Sequence, residues 1–150
     1  MSNYIHPEVL VDTQWLVEHL NDSSICIIEV AVNSQAIPAK VIPGAVIWNP
    51  FIDLMLPNFT VNFDKANIET LLSRSGIKND STVIVYGEVA GVGGWIFWLL
   101  KIFGHQDIRI LNGGRNKWNS EQRPLGSVKT VANPTQYCAQ EPDFNLRVLF

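Results

Sequence analysis

The chain has 150 residues, 47% hydrophobic and 17% charged, with a net charge of −3, which is enough apolar sequence to bury a core without disulfides or metal and excludes a disordered chain. Its eleven Lys and Arg are scattered without a basic run, so neither nucleic acid nor an anionic membrane has an electrostatic foothold. The two cysteines, Cys26 and Cys138, are far apart and in no CxxC pattern, which suits a reducing cytoplasm rather than a disulfide framework. The N-terminus has neither a basic nor an apolar leader region, and the longest apolar run, 95–100, is far below the ~20 residues that span a bilayer. The expectation is one soluble cytoplasmic domain over 1–125, with a polar, proline-punctuated, linker-like tail over 126–150.

Residues 7–11 read as a short extended segment. Asp12-Thr13 then caps a helix over 13–20, with Trp15, Leu16 and Leu20 at helical spacing. Residues 25–32 (ICIIEVAV) form a continuous apolar strand interrupted only by Glu29. A turn and a third strand follow over 42–48, and 49–62 is an irregular connection with room for one helical turn. Residues 63–75 look helical, capped by Asp64 and stopped by Gly76. Residues 82–86 (TVIVY) are a β-branched run of the kind that lies buried on both faces of a parallel sheet. An apolar helix follows over 95–103, then a strand over 108–111. A tight turn at Asn112-Gly113-Gly114 opens a short helix over 115–120. Strands alternating with helices at these spacings predict an α/β fold, with an open, mainly parallel sheet and helices on both faces.

Four glycines, Gly87, Gly91, Gly93 and Gly94, fall within eight residues between the 82–86 strand and the helix that follows. A loop in that place can present N–H groups to an anion, which makes Gly87, Glu88, Val89, Ala90, Gly91, Val92, Gly93 and Gly94 the candidates for an anion-binding loop. The same glycines can instead serve close packing, and the two readings weigh equally. The loop matches no nucleotide motif, since no Lys-Ser/Thr pair follows the glycines. Cys26 sits inside a strand, where burial makes a thiol a poor nucleophile. His6, His19 and His105 lack partners at metal spacing, and neither a metal nor a cofactor is expected. Glu29, a carboxylate in a buried strand, needs partners. Loop N–H groups or Arg115 would serve, in a structural role. Of the five tryptophans, Trp15, Trp48 and Trp118 read as core, and Trp95 and Trp98 as core that also covers an interface.

Several segments taken together, in order and spacing, resemble a rhodanese (thiosulfate sulfurtransferase) domain: VDTQWLVEHLNDSSICIIEV, IPGAVIWN, GIKNDSTVIVY and FGHQDIRILNGGRNKW. The likeness is strongest at 42–45 and 104–118, and it is nearest to the N-terminal, catalytically silent domain of two-domain rhodaneses. The resemblance implies a rhodanese-like α/β fold. It also implies a family chemistry in which a cysteine after the VIVY-type strand takes the sulfane sulfur of thiosulfate and passes it to cyanide or a thiol. That cysteine would stand at position 87, which here is Gly87. The family loop C-x-x-G-x-R-[ST] would place Gly at 90 and Arg at 92, where this chain has Ala90 and Val92. Glu29 stands for the family's Asp, and Lys40-Val41 for its Gly-His.

The resemblance therefore implies no catalytic residue in this chain and a structural or regulatory role within a thiosulfate sulfurtransferase system. Its partner would be a catalytic rhodanese domain in cis or in trans, with thiosulfate or another small anion as a further ligand. The alternative is a free-standing anion- or metabolite-binding module that uses the glycine loop. Non-thiol chemistry at Glu88 or Glu29 has no spacing to support it.

Overall fold

A computed structural model of the chain describes residues 9–32, 40–87, 91–131 and 133–144. Five parallel strands form one sheet in the order β1-β5-β4-β2-β3. They are β1 (Leu10–Val11), β2 (Ile25–Val30), β3 (Ala45–Trp48), β4 (Thr82–Gly87) and β5 (Ile108–Leu111). The helices are α1 (Thr13–Glu18), α2 (Pro50–Asp53), α3 (Lys65–Arg74), α4 (Val92–Ile102) and α5 (Gly114–Ser120). The α/β fold expected from the strand–helix alternation is the one observed.

Strand alternation divides the core into two layers. Cys26, Ile28, Val30, Val83 and Val85 face α3 and α4, packing with Ile68, Leu72, Ile96, Leu99 and Leu100. Ile27, Ile84 and Tyr86 face the other way, onto Leu16 of α1 and Trp118 of α5. The buried polar atoms of the large residues are satisfied. The Trp48 indole N–H donates to Ser75 Oγ at 2.9 Å, and that hydroxyl donates to Leu71 O at 2.7 Å. Asp12 and Asp64 accept from the first turns of α1 and α3, as their sequence positions suggest. Helix α4 begins three residues ahead of the expected start at 95. Gly93 allows this, because a Cβ there would stand only 3.2 Å from Ile110 Cγ2, and its absence lets the first turn press onto the sheet.

The described residues beyond 125 lie along the body. Gly126 exchanges both backbone hydrogen bonds with Val41. The Thr135 hydroxyl donates to Ile77 O at 2.6 Å. Asn79 and Cys138 exchange two bonds, and Ala139 N–H donates to Glu69 at 2.9 Å. Tyr137 and Ala139 are buried in the layer beneath α3 and α4. Tyr137 meets His105, whose ring is 3% exposed. His105 Nε2 lies 2.8 Å from Ser81 O, and Nδ1 lies 2.5 Å from the Tyr137 hydroxyl. A carbonyl can only accept, so Nε2 carries the proton and Nδ1 accepts from the phenol. Burial holds His105 below its ordinary pKa, with Lys101 adding to the fall while the Ser81 carbonyl and Asp107 oppose it. Burial also pushes the Tyr137 phenol up to about 12.

A histidine buried neutral favours the unfolded state once that state can take up a proton. Its contribution is therefore complete above the unfolded value of about 6.5 and is lost as pH falls below it. The melting temperature is expected to fall between about pH 7 and pH 5, and His105→Asn is expected to flatten that part of the profile. A wild-type melting curve independent of pH across this window contradicts the assignment.

Candidate functional site

Because every strand is parallel, all carboxyl ends share one edge. The chain order reverses between β4 and β2, the place where open α/β sheets hold ligands. Val30 and Gly87, the last residues of β2 and β4, are register partners there. One residue earlier, Glu29 and Tyr86 are also partners, so their side chains stand side by side on the face covered by α1 and α5.

Glu29 is 2% exposed, and a carboxylate in such a layer requires strong donors. The Tyr86 hydroxyl donates to its Oε1. Arg115 Nη1, from the first turn of α5, donates to the same oxygen at 2.5 Å. Arg115 Nη2 reaches on to Lys40 O at 2.8 Å, and the Tyr86 oxygen accepts the Ile42 N–H at 3.0 Å. One carboxylate thus ties together β2, β4, α5 and the segment leading into β3. Burial, reinforced by the hydrogen bond to Glu29, drives the Tyr86 phenol far above its usual range. The phenol therefore stays a proton donor and cannot act as a base. Arg115, one of the two partners expected for Glu29, is in place. Tyr86 was not singled out in the sequence, because its role depends on the β2–β4 register.

The glycine-rich segment does not form one loop. Gly87 is the last residue of β4, and Gly93 and Gly94 are buried in the first turn of α4. Gly91 is the left-handed N-cap of that helix, at φ 85°, and Val92 is its first residue. Glu88, Val89 and Ala90 lie outside the described residues, as does His6. The strand end is closely packed. A Cβ on Gly87 would lie 2.9 Å from Val30 O and 2.9 Å from Val92 Cγ1. A Cβ on Gly114, whose φ is 58°, would lie 2.6 Å from Gly87 O. The start of α5 and the end of β4 therefore meet backbone to backbone, which only glycine permits.

Neither thiol is near this edge. Cys26 is the second residue of β2 and is buried, with Sγ 3.9 Å from Gly76 O. Val30 lies four residue steps, about 13 Å, further along the strand. Cys138 is exposed and bonded to Asn79, ahead of the amino end of β4. His19 stacks on Trp15 with ring centroids 4.1 Å apart. Trp95 and Trp98 are half-buried against the α3–α4 layer, and Trp98 meets Phe63 edge-on at 6.3 Å. Among the described residues no group of three or more His, Cys, Asp or Glu side chains could hold a metal ion. None of the described helices is long and apolar enough to cross a membrane.

Two substitutions test this geometry by urea unfolding. Arg115→Ala takes the guanidinium from a buried carboxylate and is expected to cost about 3 kcal/mol or more. Gly87→Ala forces the strand end apart and is expected to cost about 1–3 kcal/mol. An unchanged midpoint in either variant contradicts the packing described.

The family model for the rhodanese-like domain matches residues 12–121. A putative thiosulfate sulfurtransferase of Mycolicibacterium smegmatis is 38% identical over 144 residues, covering 93% of this chain and 51% of that protein. The sulfur carrier protein TtuD of Thermus thermophilus is 36% identical over 148 residues, covering 96% of this chain and 51% of that protein. The chain thus spans about half the length of these curated relatives. Among solved structures, the 3-mercaptopyruvate sulfotransferase SseA of Escherichia coli superposes with a TM-score of 0.70 at 23% identity, over 89% of this chain and 55% of that one. At that identity it shares the fold.

Proposed function

We propose that this chain, which belongs to the rhodanese-like domain family, is a catalytically silent domain of a thiosulfate sulfurtransferase system. It serves to support or regulate a catalytic rhodanese domain supplied in cis or in trans. The observation that carries the reading is the crowding at Gly87. The resemblance puts the sulfur-carrying cysteine at this position, and here even a Cβ would come within 2.9 Å of a backbone carbonyl.

Transfer of sulfane sulfur needs a thiolate that substrate can reach, held where N–H groups can stabilise it. Cys26 is buried at the far end of β2, and Cys138 is exposed beside Asn79, ahead of the amino end of β4. Neither lies at the carboxyl edge where β2 and β4 end side by side. Two free thiols also fit a cytoplasmic setting. Gly93 serves helix packing, and Gly94 is buried beside it in the first turn of α4, which favours the structural role over a free-standing anion-binding module.

The test is thiosulfate:cyanide transfer by the purified chain, alongside Cys26→Ser, Cys138→Ser and Gly87→Cys. No turnover above the uncatalysed background is expected from any of the four. Turnover by the unmodified chain that disappears in either serine variant overturns the proposal.

A further inference from the structure

The chain contains a single Asn-Gly pair, Asn112-Gly113, and it stands where β5 hands over to α5. Both residues are exposed. An asparagine followed by glycine is the pair most open to attack by its own backbone, because a residue without a Cβ leaves the approach to its nitrogen clear. In that reaction the glycine nitrogen bonds to the asparagine side-chain amide carbon, the bond from that carbon to the amide nitrogen breaks, and ammonia leaves. Water then opens the cyclic imide at either carbonyl, giving aspartate or isoaspartate. Water is the one co-reactant, and no electrons change hands.

The fold leaves the Asn112 amide unheld. The Asn112 backbone N–H donates to Val11 O at 2.8 Å, which fixes the main chain, but among the described residues its side-chain amide has no hydrogen-bond partner. Other asparagines are held. Asn62 accepts the Asp64 N–H at 2.9 Å, Asn67 donates to Asp53 O at 3.0 Å, and Asn79 is bonded twice to Cys138. Asn116 and Asn119 lie within α5 and are followed by residues that carry a Cβ. The glycines that make Asn112 reactive are fixed by the packing. Gly113 has φ 84° and Gly114 φ 58°. A Cβ on Gly113 would lie 2.5 Å from Lys117 Cβ, and one on Gly114 2.6 Å from Gly87 O. The turn that starts α5 thus requires the sequence that exposes Asn112 to attack.

We infer that Asn112 is a site of spontaneous isoaspartate formation in the folded protein, and that its conversion loosens α5 from the carboxyl edge of the sheet. Isoaspartate routes the main chain through the former side chain, so the backbone gains a carbon between Val11, which holds Asn112, and Gly113. The contacts that follow leave no slack. Gly114 rests backbone to backbone on Gly87, and the next residue, Arg115, reaches Glu29 Oε1 at 2.5 Å. A start of α5 displaced by a carbon draws the guanidinium from a buried carboxylate, which is the costly way to break such a pair. The added negative charge falls ahead of the first turn of α5, where a helix tolerates it. The damage comes from length and not from charge.

The test incubates the folded chain in mildly alkaline buffer and follows Asn112 by peptide mass mapping. A carboxyl methyltransferase specific for isoaspartate distinguishes the two products. Amide loss at Asn112 ahead of every other asparagine is expected. The isoaspartate-bearing fraction, separated by anion exchange, is expected to unfold at a lower urea concentration than the parent. Freshly prepared Asn112→Asp carries the same charge on an unlengthened backbone and is expected to unfold with the parent. Asn112→Gln, whose longer side chain cyclises far more slowly, is expected to abolish the product.

Amide loss in the urea-unfolded chain but not in the folded one overturns the inference, because the turn then protects Asn112. Isoaspartate-bearing protein that unfolds with the parent overturns it too, as does product undiminished in Asn112→Gln. An Asn112→Asp variant as unstable as the isoaspartate form assigns the loss to charge and also overturns it. None of these outcomes depends on whether the chain transfers sulfur.

Discussion

The Glu29 carboxylate organises the functional edge of this protein. It lies within an apolar layer, where an ionised group is tolerated only with strong donors around it. Those donors come from different parts of the chain: Tyr86 beside it on β4, and Arg115 across the layer on α5. Satisfying one charge therefore fixes two neighbouring strands, the approach of α5 and, through Lys40 O and the Ile42 N–H, the way into β3. A buried ion pair of this kind adds little net stability over an apolar pair, but losing one partner is costly. Its effect is to leave the edge one arrangement.

That arrangement closes the position at which the family resemblance places its nucleophile. Once α5 is drawn in by Arg115, Gly114 rests against the carbonyl of Gly87, and Val30 and Val92 close the other sides. The site that began as a candidate ligand loop is, at its described end, a packed strand terminus. The carboxyl edge is crowded where chemistry would occur.

Much of this was legible in the sequence. The run TVIVY and the run ICII announced buried parallel strands, because β-branched residues without alternation have no solvent face to serve. Asp12 and Asp64 marked helix starts through local hydrogen bonds that need no tertiary partner. Glu29 stood out because a carboxylate in such a run must be satisfied. The division between loop and helix over 87–94 was not legible. Glycine permits both, and the choice was made by Ile110, which leaves room for a helix at Gly93 only because no side chain is there. Residues 126–150 read as a polar, linker-like tail, since Pro134, Pro142 and the polar residues around them suggest a linker. The burial of Tyr137 depends on His105 having one nitrogen to spare, a fact no local pattern contains.

The sequence by itself determined the fold class, the order of its elements and the resemblance to rhodanese domains, because these rest on local propensity and on motifs contiguous in the chain. Only the tertiary structure decided that Tyr86 and Arg115 share the Glu29 carboxylate and that position 87 has no room for a side chain. Each of these is a relation between backbone or side-chain positions fixed by register or by packing, and the chain must be folded before the relation exists.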